Sequence, residues 1–152
     1  MITDFGKAIR KILIEDITIN GLIGSRVLRA KFADTGSLAL DSNTVFPLIV
    51  FSLNEEETVN GIPTEKISLH FIALVKATED IPHETVENII YRISYLLDNN
   101  PDIITNAGYS VYCHELIKDF TSPVMFSSQY NAFYKDLWFN CRCKVNYLDC
   151  NV

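Results

Sequence analysis

Four cysteines, three histidines and a run of glutamates are the residues of this 152-residue chain most suited to chemistry. Cys113 and His114 are neighbours, and a Cys–His nucleophile pair needs its two side chains to face each other. Consecutive residues of a strand point to opposite faces, so this pair does not meet directly. His70 lies mid-strand and would reach a thiol only across a sheet; His83 opens a predicted helix. Cys141 and Cys143 share one face of a predicted strand, about 7 Å apart along it, too far for a disulfide without buckling the chain. A zinc site wants a second cysteine pair, usually with knuckle spacing, and only Cys113 and Cys150 remain. The cysteines therefore read as reduced, unmetallated thiols acting as small core hydrophobes. Glu55, Glu56, Glu57 and Glu65 lie in "NEEETVNGIPTE". A calcium loop needs alternating oxygen ligands and a glycine at fixed offsets, whereas Asn60-Gly61 is a turn, so this segment reads as a solvated acidic loop. The sequence contains no phosphate-cradling glycine loop, G-x-S-x-G elbow or H-E-x-x-H. The expectation is a protein that is not an enzyme, with no catalytic residues, no cofactor and no metal.

The elements that would position these residues follow from periodicity. Phe5, Ala8, Ile9, Ile12 and Leu13 recur at helical spacing, with Thr3 as a cap, Asp4 in the first turn and an end near Glu15 or Asp16. "ITINGLIGS" reads as turns around its glycines, and "RVLRAKF" as a short strand. From Ala33 to Thr44 the chain is turn-rich, with little to bury. Pro47 opens the apolar strand "LIVFSL", and a strand from Ile67 to about Ala77 follows the acidic insert. The clearest helix carries Val86, Ile89, Ile90, Ile93, Leu96 and Leu97 on one stripe, with Asp80 as its cap and Pro82 in its first turn. "YSVYCHELIKDF" alternates as a strand with Tyr109, Val111, Cys113, Glu115 and Ile117 on one parity. "TSPVMFSSQYN" reads as irregular. In the last strand Leu137, Phe139, Cys141, Cys143 and Val145 face inward, and Trp138, Asn140, Arg142 and Lys144 outward.

The order is helix, strand, strand, helix, strand, strand. Its fold class is α+β: one domain over residues 1–152, with a four-stranded antiparallel sheet, two main helices on one face, and a protruding loop at 54–66. Two helices cover one sheet face. On the strand from Ile67, the second face turns apolar at Ile72 and Leu74, and leaving these in water forfeits roughly 1.5 to 3 kcal/mol each. Ile72 and Leu74, with Trp138 beside them, are therefore expected at a contact with another subunit. Glu55, Glu56 and Glu57 are expected on an arm that orders against a neighbour.

Hydrophobic residues make up 48% of the chain, enough for a real core, and the formal net charge of −6 argues against a nucleic-acid coat protein. Phe133, Tyr134, Trp138 and Phe139 could stack bases, but no positive groove accompanies them, and packing is the stronger reading. The first residues show no signal-peptide pattern, and no apolar run is long enough to span a bilayer. The expectation is a soluble protein made in a cytosol.

The helix "DFGKAIRKILIED", the "GSRVL" turn and strand, and the loop into "FPLIVFSL" are followed by "ISLHFIALVKA" running into "PHETVENIIYRISYLLDNN". A closing strand pair surrounds "SPVMFSSQYNAFYKDLWFNCRC". This arrangement resembles the tail-completion, or tail-terminator, proteins of long-tailed bacteriophages over nearly the whole chain. The likeness is one of pattern, without a diagnostic motif. It implies a homo-oligomeric ring, typically a hexamer, at the head-proximal end of the tail, assembled in the host cytoplasm and carried in the virion. Such a ring contacts the tail tube protein, ends its growth, and joins the tail to the head-completion or connector protein. DNA passes its channel without specific binding. The family has no catalytic residues to carry over. Alternatives are another connector ring of the phage neck, a cellular oligomeric binding module, and a small thiol enzyme.

Overall fold

The computed structural model describes residues 2–30, 38–55 and 65–145. Helix α1 spans Ile2–Glu15 and buries the expected face of Phe5, Ala8, Ile9, Ile12 and Leu13. It begins at Ile2, so Thr3 lies inside its first turn rather than capping it. Asp16 then starts a second helix, α2, Ile17–Ile23. Its backbone is extended, and its carboxylate accepts the Ile19 amide at 3.0 Å. That bond satisfies an N–H that no helical carbonyl can reach. The segment was expected to be turns. Gly21 instead lies within the helix, and only Gly24 turns the chain, at φ +64°. Glycine costs a helix about 1 kcal/mol, but the Asp16 cap and the burial of Ile19 and Ile23 outweigh it.

Strand β1 (Val27–Arg29) pairs in parallel with β2 (Leu48–Glu55), with Val27 opposite Ile49. Strand β3 (Glu65–Lys76) runs antiparallel to β2 as expected, with Phe71 opposite Phe51. Helix α3 (Pro82–Leu97) follows, with Ile81 rather than Asp80 at its cap position, and then the single turn α4 (Asp102–Thr105). Strands β4 (Val111–Thr121), β5 (Met125–Ser127) and β6 (Ala132–Val145) follow. Among the described residues the sheet has six strands in the order β1-β2-β3-β6-β4, with β5 paired to β6. The expected four antiparallel strands are β2, β3, β6 and β4, and the two main helices are α1 and α3. The additions are β1, which is parallel, and β5, in the segment read as irregular. Strands of three residues are too short to show a period of two, so neither carried a clear sequence signal.

Both main helices pack on one face of the sheet. Phe5, Phe51, Phe71 and Phe139 are fully buried there, with Phe139 edge-on to Phe71 at 6.0 Å between ring centres. The alternation expected of β4 fails. Its register against β6 shifts between Cys113 and Glu115, and again between Lys118 and Phe120. A bulge adds one residue to one strand and flips the faces beyond it. Val111, Cys113 and Leu116 therefore face the core, while Ile117 lies outside. Among the described residues, no helix is long and apolar enough to cross a membrane.

Candidate functional site

The face of the sheet away from the helices divides into three zones. The first is a small apolar core of Leu48, Val50, Ile72 and Leu74, packed against Ala30, Leu38, Leu40, Phe46 and Tyr134. Ile72 is 9% exposed and Leu74 2%. The expectation that another subunit covers these two residues is therefore corrected: the chain covers them itself. The cover is a non-helical segment whose few apolar side chains, Leu38, Leu40 and Phe46, have no periodicity to announce them. Tyr130 pins it, its hydroxyl donating to the Leu38 carbonyl (2.7 Å) and accepting the Leu40 amide (3.1 Å). The Lys76 ammonium, bonded to the Tyr130 carbonyl, also sits 4.5 Å from the centre of the Phe46 ring. An open groove of about 390 Å³ remains beside this core, bordered by Leu38, Ile72, Leu74, Phe126 and Tyr134.

The second zone lies at mid-sheet. Strand register sets Ser52, His70, Trp138 and Phe120 in one row across β2, β3, β6 and β4. The His70 ring stacks on Trp138, with centres 3.8 Å apart and planes 4° apart. His70 Nε2 lies 2.7 Å from Asp136 Oδ1. Asp136 is held in turn by Ser122, whose Oγ accepts the Asp136 amide at 2.8 Å and whose own amide donates to the Asp136 carbonyl at 3.0 Å. Sequence reasoning weighed His70 only as a partner for a thiol. Cys113, Cys141 and Cys143 lie on the opposite face of the sheet, Cys150 lies outside the described residues, and His70 meets Asp136 and Trp138 instead. The spacing of three sites on two strands shows nothing of this until the β3–β6 register is known. A carboxylate fixing an imidazole can support acid–base chemistry. Here the nearby hydroxyl of Ser122 is spent on Asp136 and on the Pro123 carbonyl (2.8 Å), and the cluster's evident effect is to hold the Trp138 ring in place.

The third zone is open. Arg142 pairs with Glu115 at 2.9 Å, and the Lys144 ammonium lies 5.6 Å from the Tyr112 ring centre. Tyr112, Ile117 and Phe120 are exposed beside them, Phe120 at 54%. Trp138, expected at an interface, borders this zone half-buried. Glu55 ends β2, while Glu56, Glu57 and most of the expected 54–66 arm lie outside the described residues.

Cys113, Cys141 and Cys143 are buried thiols on the helix side. Burial, with a smaller contribution from Cys113 and Glu115, pushes the Cys141 thiol far above the usual range, which removes the reactive thiolate at neutral pH. The Cys113 thiol donates to the Glu115 carbonyl at 3.3 Å. Among the described residues, no three His, Cys, Asp or Glu side chains gather as metal ligands would. A cleft of about 520 Å³ opens between α1, α3 and α4. Of its polar groups, Lys11 donates to the Ala107 carbonyl (3.0 Å) and Asp16 takes two bonds from Arg92 (2.8 and 3.1 Å). The Arg92 bonds, with those from the α2 amides, hold the Asp16 carboxyl below its ordinary range despite its burial.

A different surface carries two more exposed aromatics. On α3, the side away from the sheet presents Glu84, Asn88, Tyr91 and Tyr95, with Tyr95 at 67% exposure. No protein-family model matches the chain, and no curated protein matches it in sequence.

Proposed function

We propose that the chain is a structural ring protein of a long-tailed bacteriophage, seated at the head-proximal end of the tail. There it ends growth of the tail tube and offers the surface to which the head connector docks. The observation that carries this reading is the distribution of exposed aromatic residues. The subunit completes its own core on the helix side, yet leaves Phe120, Ile117 and Tyr112 exposed on the sheet and Tyr91 and Tyr95 exposed on α3. Exposed aromatic groups on opposite layers suit contacts made on two sides, as a ring subunit requires. Among the described residues, Cys113, Cys141 and Cys143 are buried thiols, and His70 is bonded to Asp136. The sequence pattern points the same way. It resembles tail-terminator proteins from the first helix to the closing strands, and adds the expectation of six subunits around a channel that DNA crosses without specific binding.

The test is electron microscopy of particles made by a phage whose gene for this chain is deleted. The expected result is tails of irregular length and heads left unjoined, both restored by supplying the protein in trans. Tails of normal length, joined to heads in the absence of the protein, would overturn the proposal.

A further inference from the structure

Strand register sorts the buried thiols. Cys113 on β4 lies directly opposite Cys143 on β6, whereas Cys141 lies opposite Leu116 on β4 and Ile67 on β3. Cys113 and Cys143 both face the helix-side core. Opposed residues of an antiparallel pair are of two kinds. Hydrogen-bonded pairs exchange their backbone bonds; the others bring their Cα atoms to about 4.5 Å, with the side chains closer. The Cys113 amide donates to Thr105 Oγ1 at 3.0 Å, and its carbonyl accepts the Thr105 hydroxyl at 3.3 Å. Both backbone groups of Cys113 are thus turned to the outer edge of β4, away from β6. Cys113 and Cys143 are therefore a pair of the second, closer kind. A disulfide needs Cα atoms roughly 4.4 to 6.8 Å apart and Cβ atoms close together, which such a pair offers without backbone movement. Cys141 is only a diagonal neighbour of Cys113, at about 7 to 8 Å for that relation, outside the bridging range. The Cys113 thiol donates to the Glu115 carbonyl at 3.3 Å, and rotation about χ1 redirects it.

We propose that Cys113 and Cys143 are a redox pair, which a small hydroperoxide closes into a disulfide tying β4 to β6. The Cys113 sulfur attacks one peroxide oxygen and the O–O bond breaks. Cys113 becomes a sulfenic acid, and the departing oxygen leaves as water with the thiol's proton. The Cys143 sulfur then attacks the Cys113 sulfur. The S–O bond breaks, and the hydroxyl leaves as a second water with the Cys143 proton. The two thiols lose two hydrogens and two electrons, and the peroxide is reduced to water. Cys113 is the entry point, because it lies on an edge strand and keeps 4% exposure while Cys143 has none. Burial slows any thiol, so the pair closes over hours through local opening of the β4 edge rather than in seconds. The bond falls beside the bulge between Cys113 and Glu115, where the β4–β6 ladder is interrupted. It also closes a loop holding β5 and most of β6, which restricts the unfolded chain and so stabilises the fold. None of this depends on the tail reading.

The test uses the purified wild-type chain, reduced and then held overnight in dilute hydrogen peroxide without denaturant. Remaining thiols are alkylated after unfolding, and the protein is mapped by mass spectrometry. Trypsin cuts after Arg142 and so separates Cys141 from Cys143. The expected product is a monomer about 2 Da lighter, with the peptide of Cys113 joined to that of Cys143, Cys141 alkylated, and the link reversed by dithiothreitol. Its urea midpoint should lie above that of the reduced protein. Four alkylated cysteines after the exposure, a Cys113 carried on to sulfinic acid, or a bridge that uses Cys141 or Cys150 would each overturn the proposal. So would a bridged protein with a lower urea midpoint than the reduced one, since the bond would then strain the pair it is said to fit.

Discussion

The two faces of the sheet were built from the same strands and met different fates. The helix-side residues of β3, Ile67, Leu69, Phe71, Ala73 and Val75, are all fully buried. On the other side the same strand passes from Lys66 and Ser68 through His70 to Ile72 and Leu74, and its cover changes with it, from open surface to a tethered segment. A face that is apolar throughout demands a continuous layer, and α1 and α3 supply one. A face that is apolar for only part of its length needs only local cover, which a few side chains of an irregular segment provide. The remainder stays available for contact. Burial on the first face therefore speaks of stability, and exposure on the second speaks of partners.

Three measurements would break or sharpen that contrast. The largest effect belongs to the helix-side core. Phe139→Ala removes a fully buried ring and should cost about 3 to 5 kcal/mol in urea unfolding. A loss below about 1 kcal/mol, an ordinary cost for a mutation at an undemanding site, would mean that this face is not the main core.

The next concerns the small core. Leu74→Ala should cost about 2 to 3 kcal/mol, toward the low end for a buried leucine because its cover is one thin segment. The loss should be independent of protein concentration, since the chain's own Leu38, Leu40 and Phe46 provide the cover. If the variant instead only shifts a dissociation equilibrium, another subunit shares the burial and the self-cover account is wrong.

The smallest effect is on the helix layer. The carboxyl of Asp16 is held below its ordinary range by Arg92 and the α2 amides. Its folded-state pKa is thus depressed, so its contribution is present above the unfolded value, near pH 4, and is lost as pH falls through the folded value. Asp16→Asn keeps a competent cap and removes the charge. It should cost roughly 0.5 to 1 kcal/mol at pH 7, with the gap to wild type narrowing as unfolding is repeated at lower pH down to about pH 2. A gap that stays constant across that range would show that the cap, and not the ion pair, matters.

Much of the scaffold was legible before any coordinates. The spacing of Phe5, Ala8, Ile9 and Ile12, the stripe on α3, and the inward parity of Leu137, Phe139, Cys141 and Cys143 are local periodic signals, and periodicity follows directly from helix and strand geometry. What failed had no period to read. Helix α2 is too short and too rich in glycine and β-branched residues to show one, β1 and β5 have three residues each, and two bulges interrupt β4. The site was less legible than the fold. Trp138 was placed on the outer face by parity alone, whereas its stacking on His70, and the Asp136 bond that fixes it, depend on β3–β6 register. Register is set by pairing across 66 positions of chain for the His70–Asp136 contact, and no local pattern encodes it.

The sequence by itself determined which side of each long strand and helix is apolar, because side-chain direction repeats with the backbone. Only the tertiary structure decided what lies against those sides. It put Leu38, Leu40 and Phe46 over Ile72 and Leu74, turned Ile117 outward past a bulge, and left aromatic residues exposed on both layers. Those outcomes depend on contacts between distant segments, where the free energy of burial is collected by whichever part of the chain reaches the surface first in space, not in sequence.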